Sequence, residues 1–169
     1  MPYAEHVSGS PRQVRCAVIT VSDTRTEETD ESGRYIREAL QAAGHVVSHY
    51  RIVKDVPLQI RGELTVLGET PGCQAMILNG GTGIAPRDTT YDTLEKMLDK
   101  RLDGFGELFR YLSYQEIGSG AIMSRAVAGT YRGRIIISVP GSTAAVRLAM
   151  EKLILPELGH MVTTVSPPP

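Results

Sequence analysis

The segment NGGTGIAPRDTT, residues 79–90, places glycines, threonines, an arginine and an aspartate behind the apolar run Ala75–Leu78. Glycines allow a positive φ and leave room for a phosphate to approach backbone N–H groups. Successive N–H groups in such a turn can bind an anion, and the N-terminus of a nearby helix strengthens the site. The segment is not a P-loop, because no Gly-Lys-Ser/Thr follows. A glycine turn that only redirects the chain is the alternative, so the segment alone leaves both interpretations open.

Asp88 favours the ligand-binding interpretation. Thr89 and Asp92 have the spacing of a capping box, so a helix that begins here does not need Asp88 as its cap. A carboxylate beside an anion site is unfavourable unless a cation lies between them, and Mg²⁺ typically binds one or two carboxylates together with phosphates. Asp55 and Asp23 follow two other predicted strands and can reach the same place. Their alternative roles are a helix cap for Asp55 and turn formation for Asp23.

The residue types that are missing from the candidate site limit the classes of reaction that it could catalyse. Cys16 and Cys73 lie among apolar neighbours, and none of the four histidines adjoins a Ser, Cys or metal-ligand motif. The sequence therefore gives no support to a Ser/His/Asp or Cys/His nucleophile. Phosphates and a metal without histidine suit phosphoryl or nucleotidyl transfer, where positioning and charge neutralisation do most of the catalysis. Arg87 and Arg125 are candidate charge clamps, and a surface role is the alternative for Arg125.

The composition is that of one soluble globular domain. The chain has 169 residues, of which 41% are hydrophobic and 22% are charged. Its 18 Lys and Arg residues against 19 Asp and Glu residues supply no basic stripe for nucleic acid. The apolar runs are too short to span a membrane, and the N-terminal residues lack the pattern of a secretory signal. We therefore predict a cytoplasmic protein without nucleic-acid or membrane partners.

Strand and helix patterns alternate along the chain. The hydrophobic pattern predicts strands at 16–22, 46–53, 75–78 and 134–139, and helices at 34–44, 55–68, from 89 onward and after Ser142. The segment 126–134 predicts a hairpin and hence one antiparallel strand. This alternation predicts a three-layer α/β/α fold with a mostly parallel sheet. The predicted single domain is 14–163, between flexible segments at 1–13 and 164–169.

In open α/β sheets, ligands bind beyond the carboxyl ends of the strands. Four segments follow predicted strands, namely SDTR (22–25), KD (54–55), NGGTG (79–83) and PGST (140–143). All four are polar or rich in glycine. The sequence therefore predicts that the ligand site forms where these segments meet.

Several motifs occur in an order and spacing that are specific to one family. They are SDTR, DESG (30–33), VKD (53–55), GGTGIAPRD (80–88), GFGELFRYLSYQEIGSGAIMSRAVAG (104–129) and PGST. Through them, residues 13–160 resemble the molybdenum-cofactor biosynthesis proteins of the MoaB/MogA family. These are relatives of the G domains of plant and animal molybdopterin-insertion proteins. The segment 104–129 is more similar to the MoaB branch than to MogA.

The resemblance implies a cytosolic homotrimer or homohexamer that binds molybdopterin and works with other proteins of the molybdenum-cofactor pathway. The implied activity is that of a nucleotidyltransferase, a molybdopterin adenylyltransferase with ATP as co-substrate and Mg²⁺ as cofactor. The terminal phosphate of molybdopterin would attack the α-phosphate of ATP and release pyrophosphate. Some members of the MoaB type lack the essential acids, so a non-catalytic molybdopterin-binding carrier or scaffold is the alternative.

The resemblance also implies roles for particular residues. Asp55 and Asp88 match the family's two essential aspartates and would be catalytic and metal-binding. The nucleotide phosphates would contact Gly80, Gly81, Thr82, Gly83, Ser22 and Asp23. The pterin pocket would include Glu107, Ser124, Arg125, Pro140, Gly141 and Ser142. Lys54 stands before Asp55 where the family usually has proline, which puts the local geometry at Asp55 in question. Both acids are nevertheless present, which favours the active form.

The segment from Phe105 to Leu112 also has a structural interpretation. Phe105, Leu108, Phe109 and Leu112 recur at helical spacing. The pattern predicts core packing or a subunit contact for these side chains rather than stacking on a pterin.

Overall fold

The computed structural model describes Tyr3 and residues 13–165. Within this part, six strands form one sheet in the order β2-β1-β3-β6-β5-β4. The strands are β1 (Arg15–Val21), β2 (Val46–Val53), β3 (Ala75–Asn79), β4 (Lys100–Arg101), β5 (Val127–Tyr131) and β6 (Arg134–Val139). The prediction of flexible ends at 1–13 and 164–169 falls mostly outside the described residues.

Six α-helices are described with the sheet. They are α1 (Glu31–Ala42), α2 (Pro57–Glu69), α3 (Thr90–Glu95), α4 (Asp103–Ile117), α5 (Thr143–Ala149) and α6 (Leu155–Val165). A 3₁₀ segment (Gly118–Met123) follows α4, and a π-helical segment (Met150–Ile154) joins α5 to α6. In the described part of the chain, no helix combines the length and apolar composition needed to cross a membrane.

Both faces of the sheet are buried, which confirms the three-layer α/β/α prediction. On one face, the core that includes Val18, Ile77 and Ile137 takes in side chains of α1, α4, α5 and α6. On the other face, the core that includes Ile19 and Met76 takes in side chains of α2 and α3. Strands that are covered on both sides need apolar residues at consecutive positions, which explains their nearly continuous hydrophobic runs.

The sheet is mostly parallel, as predicted. Strands β2, β1, β3 and β6 pair in parallel, whereas β5 is antiparallel to both of its neighbours. The β5–β6 hairpin turns at Arg132 and Gly133, which have φ values of 49° and 72°. Because β1 pairs with β2 on one side and with β3 on the other, the strand order reverses at β1, and in open α/β sheets ligands bind at such a reversal.

Local predictions for the helices have mixed outcomes. Pro57 begins α2 and the Ser142 side chain caps α5, as predicted. Gly68, the last residue of the predicted helix 55–68, lies within α2, which continues to Glu69. A Cβ at Gly68 would lie 2.8 Å from the Tyr131 ring, so glycine is required there for close packing rather than as a helix stop. Phe105 and Phe109 are buried, whereas Leu108 is exposed.

Candidate functional site

The glycine turn after β3 is fixed tightly to the sheet at its first residue. Gly80 has a φ of 103°, and a Cβ there would lie 2.2 Å from the Val21 carbonyl oxygen. The Gly80 N–H donates to the Val139 carbonyl at 3.0 Å. The predicted phosphate contact of Gly80 therefore cannot use this N–H group. This N–H group joins the turn to β6, so only the residues that follow could offer N–H groups to a ligand.

The next four backbone N–H groups have no partner of this kind in the described part of the chain. Those of Gly81, Thr82, Gly83 and Ile84 make no hydrogen bond within the described residues. The Arg125 guanidinium donates to the carbonyls of Thr82 and Gly83. In a trans peptide the carbonyl and the following N–H point in opposite directions, so the N–H groups of Gly83 and Ile84 point away from Arg125. This arrangement leaves them available to a ligand.

Asp55, in the loop after β2, forms hydrogen bonds to the start of α3 and lies against the glycine turn. Its Oδ1 accepts hydrogen bonds from Thr89 N at 3.0 Å, Thr89 Oγ1 at 2.7 Å and Thr90 Oγ1 at 3.3 Å. Thr89 therefore donates its hydroxyl to Asp55 and makes no side-chain cap of its own, which corrects the predicted capping box with Asp92. Asp55 Oδ2 makes no hydrogen bond within the described residues and lies 2.6 Å from the position a Gly81 Cβ would occupy.

Asp88 contacts the same turn two residues further along, at Gly83. Its Oδ2 accepts a hydrogen bond from Ala85 N at 3.1 Å and lies 2.5 Å from the position of a Gly83 Cβ. The carboxylate lines a cavity of about 380 Å³ that we call the loop cleft. Charged side chains lining this cleft are Arg61, Asp88, Asp92, Lys96 and Arg125. Two carboxylates thus lie over Gly81 and Gly83, on a turn with available N–H groups.

The carboxylates suit a metal that phosphates also bind. Within the described residues, no three His, Cys, Asp or Glu side chains converge to hold an ion by themselves. Asp88 and the Asp55 Oδ2 atom lie beside Gly83 and Gly81, whose N–H groups have no hydrogen-bond partner within the described residues. Mg²⁺ commonly takes one or two carboxylates and completes its shell with phosphate oxygens and water. The residues therefore fit a nucleotide-bound magnesium ion rather than a metal held by protein alone.

The loop after β1 supports Asp55. Ser22 Oγ accepts hydrogen bonds from Thr24 N and Arg25 N, so it stabilises its own turn. Asp23 Oδ1 accepts a hydrogen bond from Asp55 N at 3.0 Å. Both predicted phosphate-binding side chains thus bind backbone donors. Asp23 also joins the loops after β1 and β2.

Arg25 and the DESG motif hold the loop after β6. Arg25 Nη2 and Ser32 Oγ donate to the Gly141 carbonyl at 2.9 and 2.7 Å. Arg25 also lies 3.5 Å from the buried carboxylate of Asp30. Asp30 accepts hydrogen bonds from Thr20 and Tyr50 and caps α1 through Gly33 N. Burial, followed by this hydrogen bond to Asp30, raises the pKa of Tyr50.

The predicted pterin residues fall into two groups. Pro140, Gly141 and Ser142 form the turn before α5, where a Gly141 Cβ would lie 3.2 Å from Gly80 Cα. Ser142 Oγ accepts from Ala145 N as the α5 cap. Glu107, Ser124 and Arg125 instead line a separate cavity of about 350 Å³ beside α4, which we call the helix cleft. The structure does not bring the six residues into one cavity of a single chain.

Arg125 forms the wall between the two clefts, because it lines both of them. Its guanidinium pairs with Asp92 at 3.0 Å and lies over the Tyr91 ring at 4.7 Å. The hydrogen bond from Arg125 lowers the pKa of Asp92. Arg87, the other predicted clamp, is exposed. Arg125 is therefore in a position to act on the glycine turn and on a ligand in either cleft.

Sequence reasoning missed four cations near the site. Arg25 holds the β6 loop, Arg61 and Lys96 line the loop cleft, and Arg110 lines the helix cleft. None of them lies beside a glycine turn or a strand end except Arg25, which the SDTR motif contains. Arg61 and Arg110 lie within helices, and Lys96 directly follows α3. Their only feature in the sequence is a positive charge, which is common on protein surfaces.

Both cysteines are buried, as predicted, and should be unreactive in the folded protein. Burial raises the pKa of the Cys16 thiol to about 12, and burial also raises the pKa of Cys73. Because the thiolate is the reactive form, we expect reaction with Ellman's reagent at pH 8 to be about 10²-fold slower in native protein than in urea. Rapid modification of one equivalent in the native protein would contradict this burial.

Comparison with known proteins identifies the family. Residues 17–160 match the family described as "Probable molybdopterin binding domain". The chain is 52% identical over 166 residues to molybdenum cofactor biosynthesis protein B of Halalkalibacterium halodurans, covering 98% of both chains. It is 49% identical over 166 residues to the protein of that name from Bacillus subtilis, again covering 98% of both chains.

Solved structures share the fold. A crystal structure of a molybdenum cofactor biosynthesis protein B has a TM-score of 0.89 at 50% identity, covering 92% of this chain and 98% of that one. The tungsten cofactor synthesizing protein MoaB from Pyrococcus furiosus has a TM-score of 0.82 at 35% identity, covering 92% and 99%. The chain therefore belongs to the family of molybdenum cofactor biosynthesis proteins B, the MoaB family.

Proposed function

We propose that the protein acts in molybdenum cofactor biosynthesis by binding molybdopterin and adenylylating it with Mg-ATP. The observation that carries the proposal is the arrangement at the glycine turn. Asp88 and Asp55 Oδ2 lie over Gly83 and Gly81, beside backbone N–H groups that have no partner among the described residues. Carboxylates beside an anion-binding turn are favourable when a metal-bound phosphate lies between them.

The reaction requires little covalent chemistry from the protein. The terminal phosphate of molybdopterin attacks the α-phosphorus of ATP, the bond from that phosphorus to the bridging oxygen breaks, and pyrophosphate leaves. The attacking phosphate is already anionic near pH 7, so no general base is needed. Positioning and charge neutralisation then supply the catalysis. The absence of histidine and cysteine from the loop-cleft lining agrees with this chemistry.

The side chains around the glycine turn and the two clefts have distinct roles in this proposal. Asp88 and Asp55 would hold Mg²⁺, which supplies charge neutralisation at the phosphates. The N–H groups after Gly80 bind phosphate oxygens, Ser22 stabilises the turn that contains Asp23, and Asp23 holds the backbone of Asp55 in place. Arg61 and Lys96 line the same cleft and are suited to the β- and γ-phosphates that become pyrophosphate. Glu107, Ser124 and Arg125 bind the pterin in the helix cleft.

A pyrophosphate-release assay separates this enzyme from a molybdopterin carrier. Purified protein is mixed with ATP, Mg²⁺ and molybdopterin, and both pterin binding and pyrophosphate are measured. We expect release that requires all three components. Tight pterin binding without pyrophosphate would leave only the carrier, and failure to bind molybdopterin would exclude both. The cytoplasmic location stays a prediction.

We also propose that the protein is a homotrimer or homohexamer. Tyr111, Ile117, Ile122 and Met123 are each more than half exposed on α4 and the 3₁₀ segment that follows it. A run of exposed apolar side chains is typical of an interaction surface. Analytical ultracentrifugation should give three or six times the chain mass of 18.4 kDa.

Charged substitutions in this run test the proposed interface. The double variant Tyr111→Glu, Ile122→Glu should dissociate, because the interface would have to bury two carboxylates. Leu58→Glu is the matched control, since Leu58 is 81% exposed on the separate helix α2 and should leave the mass unchanged. A monomeric wild-type protein, or a double variant that stays assembled, would contradict the interface.

A further inference from the structure

An apolar cavity lies between the start of α4, the strand β5 and the helix α6. Its volume is about 570 Å³, which exceeds the volumes of the loop cleft and the helix cleft. We call it the apolar cleft. Its apolar lining includes Leu102, Phe105, Leu108, Leu153, Met161 and Val165. Contact between such a surface and water is unfavourable, so the cleft is suited to an apolar occupant.

The rim of the apolar cleft carries two polar side chains of α6. Glu157 Oε2 and His160 Nδ1 lie 3.1 Å apart, and both residues line the cleft. The other carboxylate oxygen of Glu157 accepts a hydrogen bond from the Tyr3 hydroxyl. The Tyr3 and His160 rings meet edge to face, with centroids 6.0 Å apart and planes at 72°. Tyr3, from the N-terminal end of the chain, is therefore held at the rim of the cleft.

The residues around Tyr3 have the composition of a short covering segment on a polar connection. Residues 1–4 are MPYA, a stretch without charge that is largely apolar. Residues 5–12 are EHVSGSPR, which contain glycine, serine and proline and are typical of a connecting segment. The sequence thus places an apolar stretch beside Tyr3 and a polar stretch between Tyr3 and β1.

The polar stretch is long enough to join β1 to the apolar cleft. Cys16 of β1 pairs with Ala75, which pairs with Ile135 of β6. Ile135 lines the cleft, and it lies two strand spacings, about 10 Å, from Cys16. The 12 residues between Tyr3 and Cys16 span up to about 40 Å when extended. The N-terminal segment can therefore reach the cleft of its own chain.

We propose that the N-terminal segment, residues 1–12, covers the apolar cleft of its own chain, with Tyr3 as the anchor. Residues 1–4 pack against the apolar lining, and the Tyr3 hydroxyl donates to Glu157 at the rim. Because the segment is tethered, its effective concentration at the cleft is on the order of millimolar. A free apolar ligand has to displace it. This inference does not depend on the proposed adenylylation, since it uses neither Asp55 nor Asp88.

Binding of the apolar dye anilinonaphthalene sulfonate measures whether the cleft is covered. When a dye competes with a cover, its apparent affinity falls in proportion to the fraction of molecules that are open. Tyr3→Ala removes the ring and the hydroxyl donor, so the dye should bind about tenfold more tightly than to the wild type. Tyr3→Phe keeps the ring and should give a smaller increase. Equal dye affinity in Tyr3→Ala and the wild type would overturn the proposal.

Tyr114→Ala is the matched control. Tyr114 is 60% exposed, against 61% for Tyr3, and it does not line the apolar cleft. Its variant should leave dye binding unchanged, and an increase equal to that of Tyr3→Ala would contradict the assigned position of the dye. Circular dichroism of each full-length variant establishes that the fold is retained.

Photo-cross-linking locates the segment directly. The photoreactive residue p-benzoylphenylalanine is incorporated in place of Tyr3 in the full-length protein, and the cross-linked residues are identified by mass spectrometry. We expect cross-links to α6 near Glu157 and His160, and a mixture of isotopically light and heavy chains should give no mixed products. Cross-links to α2 would overturn the proposal. Mixed light and heavy products would also overturn it, because a second copy of the chain would then cover the cleft.

Discussion

Asp88→Asn is expected to lower adenylyl-molybdopterin formation by about 10³-fold or more without unfolding the protein. A metal ion that neutralises phosphate charge contributes several kcal/mol to the transition state, and each 1.36 kcal/mol is a factor of ten in rate. An amide is a poor substitute for the carboxylate as a magnesium ligand. Its oxygen can still accept the hydrogen bond from Ala85 N that Asp88 accepts at 3.1 Å. The measurement is product formation at saturating ATP and Mg²⁺, together with thermal unfolding.

Glu69→Gln is the matched control for the loss of one negative charge. Glu69 is exposed at the end of α2 and pairs with Arg132, and it does not line the loop cleft. Its variant should retain wild-type turnover. Full activity in Asp88→Asn would refute the metal role of Asp88. Equal losses in both variants would mean that net charge, rather than the position of the carboxylate, is responsible.

Gly80→Ala is expected to have the largest effect on stability. The φ of 103° is unfavourable for any residue with a Cβ, and the new methyl group would lie 2.2 Å from the Val21 carbonyl oxygen. Backbone strain of about 1–3 kcal/mol and overpacking of about 1–3 kcal/mol together predict a loss of roughly 2–6 kcal/mol. Because the turn must move to relieve the clash, turnover should fall as well. Urea unfolding gives the change in free energy.

Gly44→Ala separates the two causes. Gly44 also has a positive φ, of 85°, but a Cβ there would meet nothing within 4 Å. The control variant should therefore show only the backbone strain, about 1–2 kcal/mol, with normal turnover. If both variants lost the same free energy, the contact with Val21 would be irrelevant and the tight attachment of the turn to β1 would be wrong.

Much of the fold was predictable because buried parallel strands have a distinctive sequence. Strands covered on both faces, such as β3 and β6, must be apolar at consecutive positions, and the polar loops that follow them must lie at one edge of the sheet. Asp88 was recognisable because it lies within five residues of the last glycine of the turn. The strands β2 and β6 have the bounds that the hydrophobic pattern predicts.

The contacts that shape the site were not predictable, because they join residues distant in sequence. Asp55 binds Thr89, which is 34 residues away, and Arg125 binds the Gly83 carbonyl, which is 42 residues away. A local pattern suggested instead that Thr89 caps its own helix. The pairing of Gly80 N–H with Val139 likewise depends on β6 lying beside β3. Groups that local sequence patterns pair with neighbouring residues instead form hydrogen bonds with residues that are distant in the sequence.

A single-turnover reaction with labelled ATP shows whether the protein transfers the adenylyl group to molybdopterin. Enzyme in excess over ATP is mixed with molybdopterin and Mg²⁺, and phosphorus label is placed in either the α- or the γ-phosphate of ATP. We expect the α-label in adenylyl-molybdopterin and the γ-label in pyrophosphate, in equal amounts. Bound molybdopterin with both labels still in ATP would contradict it.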